Sequence, residues 1–159
     1  PEKELQLEHS LVSISKWEAK WKKPFLSSKD KTNDETLDYI RCMTITQNVS
    51  PEIYFHLTKE NLKDIEDYIE SSMTATIFSR DNNSNKGSTE IITSEIIYYW
   101  MITLNIPFEC QKWHIKRLLT LIKVCDIKNQ TPQKQSTRDI MIENTRINEE
   151  RKRRLNTKG

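Results

Sequence analysis

Cys110 and His114 stand four residues apart with Glu109 beside them, a spacing that on a helix sets thiol and imidazole on one face. A metal held there needs further ligands from elsewhere. His9, His56, Cys42 and Cys125 are the remaining candidates, and they show no second paired spacing. The expectation is therefore no metal, with Cys110 a buried thiol and His114 a half-exposed histidine. A Cys/His nucleophile fares no better, because any of the three cysteines can be matched with any histidine and the spacing selects none. The carboxylates Asp64, Glu66, Asp67 and Glu70 fall on the polar side of a helical pattern and read as solvated charge. Gly87 and Gly159 are the only glycines. That excludes a phosphate-cradling loop, a dinucleotide fingerprint and a nucleophile elbow, each of which needs glycine in a tight turn. No catalytic residue, no cofactor and no enzymatic activity is assigned.

Binding residues are easier to find. Tyr98, Tyr99, Trp100 and Trp113 form an aromatic group. Core packing is the expectation for Trp100 and Trp113. Tyr98 and Tyr99 are adjacent and cannot both face one core, so at least one is a surface candidate. Trp17 and Trp21, one helical turn apart among lysines, are candidates for docking a partner helix, with core packing the favoured reading. At the far end, Arg151, Lys152, Arg153 and Arg154 are the strongest nucleic-acid signal. They close a helical pattern, where positive charge already suits the carboxyl end, and Glu149 and Glu150 precede them. Nucleic acid is thus an unlikely partner, and a solvated or protein-binding tail is the expectation.

These residues sit on elements that read as helices. Leu11, Ile14, Trp17 and Trp21 share one face of a helix over Glu8 to Lys23, ended by Pro24. Leu5 and Leu7 alternate with polar residues and suggest at most a minor strand pair. Thr32 or Asn33 caps a second helix with Leu37, Ile40, Met43 and Thr44 inward. Pro51 opens a short helix, and Thr58 restarts it with Leu62, Ile65 and Ile69 as its stripe. The stretch from Ser72 to Ser79 is rich in Thr and β-branched residues and reads as a strand or an extended segment, followed by a polar loop, Arg80 to Thr89. Thr93 or Ser94 caps a helix to about Leu104. Its wide apolar face (Ile96, Ile97, Trp100, Met101, Leu104) predicts burial on more than one side. After a turn at Asn105-Ile106-Pro107, Glu109 to Asp126 reads as one long core helix lined by Trp113, Leu118, Leu121, Ile122 and Cys125.

The expected architecture is mainly α: a single domain of about five to six helices over residues 1–128, a linker over 129–135, and a basic amphipathic helix over 136–159. Ile140, Ile147 and Leu155 give that last helix an apolar stripe too thin to fold alone, so it needs a partner surface. Residues 134–159 carry eight basic against four acidic side chains, while the whole chain is only +2. Hydrophobic residues at 35% suffice for a modest core at this length. Three widely spaced cysteines and a charged amino terminus predict reduced thiols in a cytosolic protein, and no apolar run is long enough to span a bilayer.

The segments LEHSLVSISKWEAKWKKPFL, DYIRCMTITQNVSPEIY, EIIYYWMITLNIPFECQKWHIKRLLTLIKVC and RRLNTKG resemble those of small tailed-bacteriophage proteins of the virion structural region, the tail assembly chaperone-like family. The resemblance spans nearly the whole chain, with the loop from Asn82 to Ser88 its variable part. It implies a non-enzymatic protein that shields the apolar surface of a tape-measure or tail-tube protein in the host cytoplasm until the tail polymerises. It also admits a structural virion protein (a minor tail, connector or capsid-associated component) that contacts other virion proteins or itself. A small DNA-binding protein using the carboxyl-terminal arginines is a third alternative. Ile140, Ile147, Leu155, Tyr98, Tyr99, Trp17 and Trp21 are the partner-binding candidates.

Overall fold

A computed structural model describes residues 4–78, 91–130, 141, 145–149 and 153. The protein is mainly α-helical. Helix α1 spans Leu11–Trp21, α2 Asn33–Met43, α3 Lys59–Glu70, α4 Ser94–Thr103 and α5 Ile115–Asn129. Short 3₁₀ segments at Pro51–His56 and Phe108–Lys112 lead into α3 and α5. A first compact unit ends at Asp126, and a second covers 127–159.

Each of the first three α-helices begins at a hydroxyl. Ser10, Thr32 and Thr58 accept the amides of Ser13, Glu35 and Asn61, whose side chains return to the capping residue's own amide. These reciprocal bonds satisfy donors that a helix start leaves open. Helix α1 ends where Lys22 turns left-handed (φ 55°) and donates its amide to Glu18 O, just ahead of Pro24. The turn after α4 uses the same device at Asn105 (φ 53°), with Ile106 N–H donating to Met101 O at 2.8 Å.

Helix α1 is the centre of the domain. It packs on α2, on α4 and on the second 3₁₀ segment, and Leu11, Ile14 and Trp17 on it are wholly removed from solvent. Each such side chain contributes about 1.5–3 kcal/mol over its exposed state. Tyr39, Ile40 and Met43 of α2, Ile97 and Met101 of α4, and Ile115, Leu118 and Ile122 of α5 complete the core.

Several expectations need correction. Trp17 is fully buried, as its favoured core reading expects, so only its partner-docking alternative falls; its Nε1–H donates to Glu35 O at 2.9 Å. Trp100 and Trp113 are only half-buried, so the helix pair does not close over them. Helix α4 buries Ser94, Ile97 and Met101 alone and is covered on one side, with Tyr99 and Ile102 exposed. The long helix from Glu109 to Asp126 is broken at Trp113, which is extended. The physical reason is tertiary: His114 bridges to Ser10, and Ile115 N–H donates to His9 O at 2.9 Å, which draws the chain out of helix. Among the described residues no strand forms. Leu7 makes an isolated antiparallel bridge to Thr44, and 72–78 join no ladder, with Met73 left-handed (φ 49°). The loop at Asn82 to Ser88 lies outside the described residues.

Candidate functional site

The break before α5 places His114 where a continuous helix would not. It is buried, not half-exposed, and its ring centroid lies 4.9 Å from that of His9, which is also buried. Cys110 sits on the preceding 3₁₀ segment, so the expected shared helical face of Cys110 and His114 does not exist. Around the two imidazoles polar groups from distant parts of the chain converge. His9 Nδ1 lies 2.5 Å from the Tyr39 hydroxyl. His9 N–H donates to Tyr68 Oη at 3.1 Å, and His114 Nε2 lies 3.0 Å from Tyr68 O. Burial, helped by the charge of His114 and Lys116, pushes the His9 imidazole down to about 3. Burial likewise lowers His114 and raises the Tyr39 phenol. The cluster is thereby held neutral at physiological pH. It ties the chain start to α2, the end of α3 and the start of α5, and the described clefts are lined without it.

Three carboxylates form a second buried set. Glu18 accepts Phe25 N–H at 2.7 Å and Ser94 N–H at 2.8 Å, joining α1 to its following turn and to the start of α4. Glu35 pairs with Lys23, which with the Thr32 amide holds its carboxyl below the usual range. Burial pushes Asp38 up, but hydrogen bonds from Lys20 (2.5 Å) and Trp21 Nε1 (2.8 Å) outweigh that and leave it lowered. Each oxygen of these three carboxylates is thus engaged within the fold. Cys42 borders an open cleft of about 390 Å³ with Lys16, Arg41 and Tyr54, and burial pushes its thiol up, which depletes thiolate. No group of three or more His, Cys, Asp or Glu is arranged to hold a metal among the described residues.

The outer face of α4 has the opposite character. Tyr99 is 64% and Ile102 61% exposed, and Phe108 on the following 3₁₀ segment is 53% exposed. Tyr98, half-buried, joins them: its ring lies 6.4 Å from Phe108, and its hydroxyl donates to Gln111 Oε1 at 2.8 Å. Ile102 lies three residues after Tyr99 and four after Tyr98, so it neighbours both on the helix surface. Among the described residues these side chains form an apolar candidate for a partner surface.

The remaining expected site residues divide simply. Trp21 is half-buried with its indole N–H committed to Asp38. In the second unit, Ile147 is half-buried and Arg153 exposed. Ile140, Leu155, Arg151, Lys152 and Arg154 lie outside the described residues. Sequence reasoning found Tyr98 and Tyr99 from their adjacency but missed Ile102 and Phe108; a one-sided reading of α4 would have exposed Ile102. The histidine cluster left no signal, because its members come from positions 9, 39, 68 and 114. No helix among the described residues is long and apolar enough to cross a membrane. Comparison with family models, curated proteins and solved structures finds no match.

Proposed function

We propose that the chain is a non-enzymatic assembly factor that holds another protein through the outer face of α4. The observation that carries this reading is the exposed row of Tyr99 and Ile102 with Phe108 and Tyr98 beside it. Aromatic and aliphatic side chains in one patch are the anchors that protein partners bury. The buried polar groups, by contrast, are matched to one another and serve the fold. With the sequence resemblance, the reading becomes a phage tail assembly chaperone, and its partner a tape-measure or tail-tube protein.

Coexpression with the tape-measure protein of the encoding phage tests it. The expected result is a soluble complex that the Tyr99→Asp/Ile102→Asp double variant fails to form while melting as the parent does. Equal recovery of the partner by that variant overturns the role of α4. Mass spectrometry of purified virions separates the readings: a chaperone is absent from the particle, and a structural virion protein is present at fixed stoichiometry.

A further inference from the structure

A groove of about 1080 Å³ runs between the extended amino-terminal segment and α3, on residues the α4 reading does not use. Its floor is apolar, with Leu5, Leu7 and Ile65; its rim carries Glu4, Glu60 and Asp64. Helix α3 buries none of its residues. It is fastened at its carboxyl end, where Lys116 pairs with Glu70 at 2.9 Å and His114 meets Tyr68 O. The residues of its first half, 59–64, are all exposed, and Glu60, Asn61 and Asp64 among them form one wall.

The opposite wall is the free side of residues 5–8, which meet 43–45 through the isolated Leu7–Thr44 bridge. Glu8 N–H donates to Met43 O at 2.8 Å and Ile45 N–H to Gln6 O at 2.9 Å. These bonds flank Leu7, so the peptide groups of Leu7 point away from the 43–45 segment. His9 N–H, on that same side, is taken by Tyr68 of α3. The free side thus faces α3, where the groove opens. Extended backbone of this kind accepts an added strand, with alternate side chains entering the apolar floor.

We propose that this groove docks an extended basic segment of a partner protein, paired as a strand along Leu5 to Leu7, with aliphatic side chains on the floor and lysine or arginine against Glu4, Glu60 and Asp64. Charge complementarity selects the occupant: the only lining side chain that can become cationic is His56. The proposal does not depend on α4, and either site can fail without the other.

A fluorescent synthetic peptide alternating lysine with valine or leucine is the probe, read by anisotropy on the full chain. Binding is expected for this peptide and not for its glutamate counterpart. Glu60→Lys/Asp64→Lys, at two exposed positions, is expected to weaken it at least tenfold with the helical circular dichroism unchanged. Methylating alternate peptide nitrogens on the pairing edge is expected to weaken it as strongly, which a merely electrostatic attraction would not do. Equal binding of the two peptide charges, survival of binding in the double variant, or indifference to methylation overturns the proposal. So does a dimer in sedimentation that the same charge reversal dissolves while the peptide does not bind, since the groove would then belong to a second copy.

Discussion

Helices α2 and α4 invert what their compositions suggest. Helix α2, NDETLDYIRCM, is half polar, yet Glu35 and Asp38 are buried beside Tyr39, Ile40 and Met43. Helix α4, SEIIYYWMIT, is almost wholly apolar, yet Tyr99 and Ile102 stand in solvent. The difference lies in their neighbours. Helix α2 meets α1 and has Lys20, Lys23, Trp17 and Trp21 to match its acids and carbonyls. Helix α4 meets α1 along one stripe, and Tyr99 and Ile102 fall outside it, exposed. A buried charge is tolerated where it is paired; exposed apolar surface in a row is where a partner has something to gain.

Substitutions can break this contrast. The largest effect is expected at Trp17, where alanine removes the packed indole and its hydrogen bond to Glu35 O, lowering stability by about 4 kcal/mol in urea titration. Tyr99→Ala and Ile102→Ala are expected to stay within about 0.5 kcal/mol of the parent in the same titration. A shift near that of Trp17 at either position would make the α4 face structural. Glu18→Ala leaves the buried amides of Phe25 and Ser94 without acceptors, and a loss of about 3 kcal/mol is expected.

Acid sharpens the comparison from another side. An unfolded histidine takes a proton below about pH 6.5, whereas folded His9 resists until about 3. The unfolded chain therefore binds more protons between those values. Stability is full above the upper one and falls as pH drops through the window, by about 2.5 kcal/mol at pH 4.5. Burial lowers His114 in the same direction. Denaturation midpoints at pH 7 and 4.5 measure this, and a flat response would mean the pair is not held neutral. The smallest effect is expected at Lys22, where glycine relieves a left-handed backbone and raises stability by up to about 1 kcal/mol.

Much of the fold is legible along the chain because its signals are local. The caps at Thr32 and Thr58, the proline opening Pro51–His56 and the turn at Asn105 each lie within a few residues of what they control. The candidate surface was half legible: the adjacency of Tyr98 and Tyr99 demanded that one face outward, but nothing local assigned Ile102 and Phe108. The burial of Trp17 over Trp100 was not legible, since both sit on apolar stripes and only packing ranks them.

The helical character of the chain, the capped starts of α2 and α3 and the lack of glycine-built catalytic loops follow from sequence alone, since bonds within a turn and backbone freedom decide them. Tertiary structure alone decided that His9 and His114 meet, that α5 starts at Ile115, that Glu18 braces two distant amides and that α4 keeps one side bare. Each depends on groups tens of residues apart competing for the same hydrogen bonds and the same limited interior, and no periodicity along the chain records the outcome of that competition.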